Sequence, residues 1–365
     1  MNWPGRIGMT ILIFMGLMAP GYTTLAEFDF SGSFNRGFMA VQVLNESDNA
    51  VTTETGSKDT LRLNCKDLIG DSAKIEGSFD LTLLAGGYLT ASPDNASIEI
   101  LFETRKLYLS LFWDQCTLTV GRQIINYGVG YLFSPIDCFS TVDPRDAGFS
   151  RIGSDIIRVQ APLGNLAGLE GVATISGDNG TSALKAYANL WGFDFSLTGI
   201  YKQPDEELLL GLTFKGDLGV GVHGELVGHS NPLAGDGYFE GMAGMDYSFL
   251  DGRLFLLMEY YYNGNPINPG RLTLEDLLAI KRAFLGKEYL FGRASWTINE
   301  LCAMSVNRIS NLEDGSSIEM LQFRYNAWPR TNLYFNGRFF QGDINGIHLG
   351  VHPTAEYTIG VEVKF

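Results

Sequence analysis

The sequence predicts an all-β protein, a transmembrane antiparallel β-barrel of eighteen strands, with sixteen as the alternative count. Three observations lead to this fold class. The chain begins with an export signal that no second long apolar run follows, its short and long connections alternate, and it ends in a strand whose side chains alternate strictly between apolar and polar.

Residues 1–26 have the pattern of a secretory signal peptide. Arg6 precedes an apolar run from Ile7 to Pro20, and Thr24-Leu25-Ala26 supplies a small-x-small cleavage pattern. The alternative is a membrane anchor, but the run is shorter than the roughly 20 residues that a spanning helix needs. We therefore expect cleavage after Ala26, with residues 27–365 forming one barrel domain that enters a membrane through strands.

Composition agrees with strands that alternate between two environments. The chain has 44 Gly, 16 Tyr and 24 Phe, yet its mean hydropathy is only +0.04, far too polar for a bundle of membrane helices. Acidic residues outnumber basic ones by 41 to 26, so nucleic acid is not an expected partner.

Eighteen candidate strands can be placed between residue 28 and the end of the chain. An even number closes a sheet without an unpaired edge. The two weakest segments are 59–68 and 154–162, and without them the count is sixteen. The candidates are 28–43, 59–68, 73–85, 98–111, 115–127, 154–162, 166–176, 181–190, 193–203, 206–216, 218–229, 237–249, 253–263, 286–297, 300–310, 316–328, 331–341 and 354–365.

The connections between these strands alternate in length. Those after even-numbered strands are short, and include Trp113-Asp114, Trp191-Gly192, Leu250-Asp251-Gly252, Asn299 and Pro329-Arg330. A barrel with both termini in the periplasm requires tight periplasmic turns and longer extracellular loops. Most of the longer connections follow odd-numbered strands: 44–58, 86–97, 128–153, 264–285 and 342–353.

The last strand carries a recognisable terminal signal. Tyr357, Ile359, Val361, Val363 and the terminal Phe365 share one face. This pattern resembles the C-terminal assembly signal of bacterial outer-membrane β-barrels. The resemblance implies the outer membrane of a Gram-negative-type bacterium, contact with its lipid, and recognition of Phe365 by the barrel-assembly machinery.

The stretch from Leu118 to Asp146 contains the most distinctive internal motifs. They are Gly121-Arg122-Gln123, Tyr127-Gly128-Val129-Gly130, Ser134-Pro135-Ile136-Asp137 and Asp143-Pro144-Arg145-Asp146. Together they resemble the porin superfamily of the alginate-export and phosphate-selective type. Tyr127 stands where those families have Trp, and the chain has no lysine array or dense arginine ladder, so the resemblance implies a channel but no particular substrate.

On strands whose apolar and polar residues alternate without interruption, the charged side chains are expected to line the lumen, because a basic side chain facing lipid at mid-membrane costs about 2–4 kcal/mol. Both signs of charge occur, which favours weak selectivity over a dedicated binding ladder. The candidate pore-lining residues are Lys74, Glu76, Asp80, Asp194, Lys202, Lys215, His223, Glu225, Glu240, Asp246, Arg253, Glu259, Arg293, Arg324, Arg338, Glu356 and Glu362.

Two places break the alternation. In 98–111, Glu103 and Arg105 share the phase of Leu107 and Leu109, and Arg122 shares the phase of Val120. A β-bulge would restore the pattern, as would emergence of the strand from the membrane. The sequence leaves both explanations open.

The third long connection, 128–153, is the candidate constriction. If it folds into the barrel, acidic and basic groups would face each other in a confined aqueous space and sort solutes by size and charge. The alternative is a lid over the mouth, with the Asp-Pro-Arg-Asp sequence as a surface turn. The candidate constriction residues are Asp137, Asp143, Arg145, Asp146 and Arg151.

Residues 269–285 predict a helix within another loop, beginning at Pro269 and closed by Gly286. Its apolar stripe would either plug the pore or pack against neighbouring loops or a second subunit.

The sequence gives little support for chemistry. Four histidines, His223, His229, His348 and His352, lie outside any recognisable catalytic setting, and His348 and His352 sit in a Gly/Pro-rich segment that disfavours a metal site. Cys65, Cys116, Cys138 and Cys302 lack metal-like spacing, although export makes a disulfide feasible. No catalytic residue, cofactor or metal is predicted.

We therefore expect a porin-like outer-membrane channel for passive diffusion of small hydrophilic solutes, with a homo-oligomer as one assembly option. Two alternatives stay open at this stage. One is a substrate-specific transporter or polysaccharide export pore, and the other is a non-conducting structural or adhesive barrel.

Overall fold

The computed structural model describes residues 29–45, 50–69, 71–86, 98–140, 151, 153–175, 180–203, 206–231, 236–267, 284–342 and 353–365. These residues form eighteen antiparallel strands in a single sheet. The strands are β1 (Asp29–Asn45), β2 (Ala50–Ile69), β3 (Ala73–Ala85), β4 (Ile98–Trp113), β5 (Cys116–Gln123), β6 (Ser154–Pro162), β7 (Ala167–Thr174), β8 (Thr181–Leu190), β9 (Phe193–Lys202), β10 (Glu207–Asp217), β11 (Gly221–Asn231), β12 (Asp236–Phe249), β13 (Leu254–Asn263), β14 (Glu288–Thr297), β15 (Cys302–Asn311), β16 (Ser317–Trp328), β17 (Thr331–Gln341) and β18 (Pro353–Lys364).

The sheet closes into a barrel, because each strand pairs with its neighbours in sequence and β1 also pairs with β18. The seam is completed by the terminal residue: Gly32 and Phe365 exchange two backbone hydrogen bonds of 2.9 and 3.0 Å. A Cβ on Gly32 would collide with the Phe365 ring, so this position needs glycine for close approach. The closed barrel of eighteen strands confirms the predicted fold class.

The longest connections, those after β3, β5, β13 and β17, all follow odd-numbered strands, whereas those after β1, β9 and β11 are as short as the even-numbered ones. We call the end with the short turns after even-numbered strands the turn end, and the opposite end the loop end. At the turn end, Trp191 and Gly192 join β8 to β9 with φ values of 55° and 81°. Positive φ at both residues is what a two-residue type I′ hairpin requires.

Alternate residues of each strand face in and out. In β10, Leu208, Leu210 and Leu212 are about half exposed on the outside, whereas Leu209 and Thr213 point inward and are buried. An apolar outer face is what a barrel presents to hydrocarbon.

Two predicted boundaries were wrong. The segment 44–58 was expected to be a loop, but β1 continues to Asn45 and β2 begins at Ala50, so most of it is strand. The strand predicted over 115–127 ends at Gln123, because the chain then leaves the wall. Of the predicted helix 269–285, residues 269–283 lie outside the described residues. No helix long and apolar enough to cross a membrane occurs among the residues described.

A β-bulge explains the first of the two breaks in the alternation. Ser78 pairs with Lys106 and Phe79 with Thr104, so Arg105 is an extra residue in a β-bulge, and the inward phase changes there. Arg122 has no such shift; it stays on the outer face beside Val120, next to the last residue of β5.

Candidate channel constriction

The described part of the connection between β5 and β6 runs inside the barrel. We call residues 124–153 the inner loop, of which 124–140, 151 and 153 are described. Its apolar residues form two buried clusters with inward-facing side chains of the wall strands β6–β16. These strands cannot bury such side chains against water, so an inserted segment must cover them. The described part of this connection is therefore an insertion and not a lid.

The first cluster joins the start and middle of the inner loop to β6–β11. Its loop members are Ile125, Tyr127, Ile136 and Phe139, each at most 5% exposed. Its wall members are Ile156, Val172, Ala183, Ile200, Leu209 and Val227.

The second cluster joins Leu132 and Phe133 to β12–β16. Phe133 stacks on Tyr261 at 5.2 Å between ring centroids and meets the edge of Phe284 at 4.8 Å. Phe284 follows the undescribed part of the 264–287 connection, so that connection also reaches the interior at its carboxyl end. The wall members are Met242, Leu257, Tyr261, Tyr289, Phe291, Ile309, Ile318 and Met320.

Glu225, on the inward face of β11, fastens the inner loop through its carboxylate. Oε1 accepts hydrogen bonds from the backbone N–H of Val129 at 2.6 Å and of Gly130 at 3.0 Å. Oε2 accepts from the Ser134 hydroxyl at 3.2 Å and from the N–H of Ile136 at 3.4 Å. A charged acceptor satisfies buried amides better than a neutral one, so this carboxylate fixes the path of the loop.

Glu259, on the inward face of β13, makes a second anchor. Its carboxylate accepts from the consecutive N–H groups of Tyr131, Leu132 and Phe133, the last two at 2.9 and 3.2 Å. Consecutive amides that converge on one anion form a nest. Nε2 of His223 lies 3.0 Å from Oε1 of the same carboxylate. Glu259 is 0% exposed, so the attraction is not weakened by water.

The glycines of the Tyr-Gly-Val-Gly motif make this approach feasible. A Cβ on Gly128 would collide with Ser134 and Glu225, and one on Gly130 would collide with the Phe133 carbonyl oxygen. The motif therefore serves the docking of the loop onto the wall.

Two tyrosines of the inner loop contact wall cations. Lys185 lies over the Tyr127 ring at 5.2 Å and donates to the Tyr127 carbonyl at 3.2 Å. Arg293 lies over the Tyr131 ring at 4.9 Å and also bonds its hydroxyl. Burial, helped by the Glu170 carboxylate, raises the pKa of Tyr127, and burial raises the pKa of Tyr131.

Two of the predicted constriction residues are brought together. Asp137 and Arg151 form an ion pair in which the side chains are 3% and 14% exposed. Arg151 also donates to the Ser140 carbonyl at 3.1 Å, and its own carbonyl accepts from Arg105 at 3.0 Å. This pair ties the end of the inner loop to β4. Asp143, Arg145 and Asp146 lie outside the described residues.

The inward faces of β18 and β1–β4, here called the polar wall, contrast with the inward faces of β6–β16, here called the packed wall. Neither apolar cluster includes a residue of β18 or β1–β4. Arg62 instead binds Asp80 through two bonds of 2.7 Å, with Arg105 at 3.6 Å from the same carboxylate.

A second group on the polar wall centres on Glu76. Its carboxylate accepts from Lys74 at 2.6 Å, Tyr108 at 2.7 Å and Lys106 at 3.4 Å. Further along, Arg338 of the adjoining β17 pairs with Glu356 of β18. Positive and negative groups thus alternate along this wall.

The predicted pore-lining residues fall into three groups. Lys74, Glu76, Asp80, Glu356 and Glu362 are on the polar wall, with Arg338 beside it. The second group lies on the packed wall, most of it under the inner loop or in pairs with neighbours: Asp194, Lys202, Lys215, His223, Glu225, Glu240, Asp246, Glu259, Arg293 and Arg324. Arg253 belongs instead to the turn before β13, where it bonds the Leu250 carbonyl.

Sequence reasoning missed several inward charges. The β-bulge obscured the inward direction of Arg105. Arg62 and Arg158 were left out because their predicted strands, 59–68 and 154–162, were the two weakest segments. For Glu170 on β7 and Lys185 on β8 the alternation gave a usable signal. Arg158 and Glu170 pair at 2.7 Å.

The four cysteines are all free thiols. Within the described part of the chain, no group of three or more His, Cys, Asp or Glu side chains could hold a metal ion. His348 and His352 lie outside that part.

Solved structures of similar fold include a protein described as a porin and one described as an outer membrane protein. The chain is similar to OccAB1 of Acinetobacter baumannii, with a TM-score of 0.59, 9% identity and coverage of 95% of this chain and 98% of that one. It is also similar to a BenF-like porin from Pseudomonas fluorescens Pf-5, with a TM-score of 0.61, 10% identity and coverage of 93% and 99%. It is similar as well to OpdK of Pseudomonas aeruginosa, with a TM-score of 0.57, 9% identity and coverage of 92% of this chain and 98% of that one. No protein-family model and no curated protein matches the sequence. At such low identity the similarity concerns the fold.

Proposed function

We propose that the protein is a porin-like outer-membrane channel through which small hydrophilic solutes diffuse passively, without chemistry. The observation that carries this proposal is the division of the barrel interior: an inner loop fastened to the packed wall, and a polar wall that the apolar clusters leave bare. The proteins of similar fold are themselves named as porins and outer-membrane channels.

Exposure supports a water path along the polar wall. The side chains of Arg62, Lys74 and Lys106 are 38%, 27% and 36% exposed. Those of His223 and Glu259 on the packed wall are 3% and 0% exposed. At the turn end, Arg324 and Lys364 line an open cavity of about 610 Å³ beside the turn between β16 and β17.

The inner loop narrows the channel, and its Asp137–Arg151 pair belongs to the constriction, together with Asp143, Arg145 and Asp146. Because cations and carboxylates on the polar wall are paired, a single sign of charge does not dominate it. This arrangement supports weak selectivity and a general channel in preference to a polysaccharide export pore.

The targeting features are part of the same proposal. Residues 1–26 are removed on export, the short turns face the periplasm, and Phe365 is read by the assembly machinery during insertion. Mass spectrometry of the mature protein tests the first point, and a Phe365 deletion tests the last.

Planar-bilayer recording with purified protein tests the function. We expect ohmic single-channel currents that small sugars or amino acids do not saturate. A current that one solute class blocks at low concentration would support the substrate-specific alternative, and absence of current would support the non-conducting barrel.

A further inference from the structure

Three ion pairs lie on the outer face of the barrel, where lipid is expected. They are Arg122–Asp155, Arg308–Glu319 and Arg36–Asp59, with closest N–O distances of 2.7, 2.8 and 3.6 Å. Each joins directly opposed residues of adjacent strands. Their outward direction follows from strand alternation, since the residues beside them in the same phase are exposed apolar side chains.

Two of these pairs lie near the loop-end termini of their strands. Arg122 is next to the last residue of β5 at the loop end. On the outer face of β15, Arg308 lies between Val306 and Ser310. On β16, the next residue on the same face from its partner Glu319 toward the loop end is Ser317. Headgroups and water solvate charges at this depth, so these pairs are ordinary.

The pair Arg36–Asp59 differs because apolar side chains flank Arg36 on both β1 and β18, while on β2 Asp59 lies between Leu61 and Ser57. Along β1, Arg36 lies between Phe34 and Phe38, which are 38% and 54% exposed. Across the seam, Arg36 is opposite Val361, whose outward neighbours on β18 are Ile359 and Val363. An arginine whose side chain is 49% exposed is therefore placed within the hydrocarbon belt. Lipid disfavours such a charge, whereas a protein surface with complementary charges does not.

The pair is complementary to itself. Two barrels inserted in the same direction are related by a two-fold axis along the membrane normal, and an isologous contact brings residue i opposite residue j of the other copy. A two-fold rotation about an axis next to β1 and β2 brings Arg36 on β1 of each copy opposite Asp59 on β2 of the other copy. Four charges of alternating sign then meet.

We propose that two copies of this chain associate through the outer faces of β1 and β2, with Arg36 of each copy opposite Asp59 of the other. In lipid, apolar surfaces gain little by meeting, so polar side chains supply the attraction. These two strands are also long. β1 has 17 residues and β2 has 20, whereas roughly 9–11 residues of a strand suffice to cross the hydrocarbon. Their loop ends therefore extend the contact beyond the membrane.

The test is a charge-exchange experiment followed by sedimentation equilibrium in detergent. We expect the wild type to be dimeric and the Arg36→Glu and Asp59→Arg variants each to be monomeric, since each would place like charges opposite each other. An equimolar mixture of the two variants should recover dimers. In such a mixed dimer the two introduced charges, which are opposite in sign, face each other across the axis, and so do the native Asp59 of one copy and the native Arg36 of the other.

An apolar double variant, Arg36→Leu with Asp59→Leu, keeps the test decisive if a single variant folds poorly. Leucine suits lipid, so this variant should fold, conduct as a single barrel and remain monomeric. Arg308→Glu, at the other outward pair, is the matched control and should leave the dimer unchanged. A monomeric wild type, association that survives the double leucine variant, or a mixture of folded single variants that fails to associate would each overturn the proposal, and none of these outcomes bears on the channel function.

Discussion

The packed wall and the polar wall belong to the same closed sheet and obey the same alternation, yet their inward faces have opposite character. On the packed wall, Ile200, Leu209 and Val227 point inward and are at most 1% exposed. On the polar wall, Arg62 and Asp80 occupy the equivalent inward phase. In this barrel the apolar clusters mark where the inserted segment docks. The partly exposed charges of the polar wall mark where we expect water to pass.

Removal of the inner loop should have the largest effect on this contrast. Deletion of residues 131–150 takes away most of the segment that covers the packed wall. An eighteen-stranded barrel leaves an aqueous channel once its loops are subtracted, so single-channel conductance should rise by about twofold or more. Planar-bilayer recordings measure this rise. Unchanged conductance would remove the constriction from the inner loop.

Release of the loop without deletion should have the next largest effect. The double variant Glu225→Ala with Glu259→Ala removes both carboxylates that the loop amides bond. Hydrogen bonds to charged groups contribute about 1.5–3 kcal/mol each, so the free energy that favours the docked loop over the released loop should fall markedly. We expect higher conductance with frequent transitions between levels.

The matched control for that variant is Glu362→Gln, which changes a carboxylate on the polar wall that accepts from Asn332 and bonds no described residue of the inner loop. It should keep a steady current. Steady current in the double alanine variant as well would mean that the apolar clusters alone hold the loop.

The two walls also differ in how well the sequence predicts them. Strand alternation located β8, β13 and β17 to within a residue, because apolar side chains dominate the middle of their outer faces. The alternation did not predict that apolar residues such as Leu209 and Ile200 point inward. A two-residue period shows which residues share a face, but not what an inward apolar residue contacts. The bulge at Arg105 and the inward departure after Gln123 depend on tertiary contacts, so the sequence left the first undecided and misplaced the second.

Glu225 and Glu259 show the same limit within the site. Both were expected to line the pore, and both do face inward, but their partners are backbone amides from a segment 89 to 128 positions away in sequence. Backbone donors carry no side-chain signature. Only the glycines at 128 and 130 hinted at close approach.

A substitution at Gly130 should have a smaller effect than loss of both anchors. In Gly130→Val, the added side chain would collide with the Phe133 carbonyl oxygen and meet the Met242 methyl group. The loop must shift locally, while Glu259 still holds residues 132 and 133. We expect modestly raised conductance and increased current noise. Gly171→Val is the control, since a Cβ there meets nothing within 4 Å.

The smallest expected effect is a change of ion selectivity from the polar wall. Arg62→Gln removes one cation from the Arg62–Asp80–Arg105 group, leaving the carboxylate with Arg105 at 3.6 Å. The passage then becomes slightly more attractive to cations. Salt screens charges over about 8 Å at physiological ionic strength, so the shift should grow as salt is lowered.

Reversal potentials under a salt gradient measure that shift, with Arg308→Gln on the outer face as the control that should leave selectivity unchanged. An equal shift in both variants would mean that surface charge in general sets selectivity. A shift in Arg62→Gln alone places the ions beside the polar wall, because a charge acts on permeating ions only within the reach of its field.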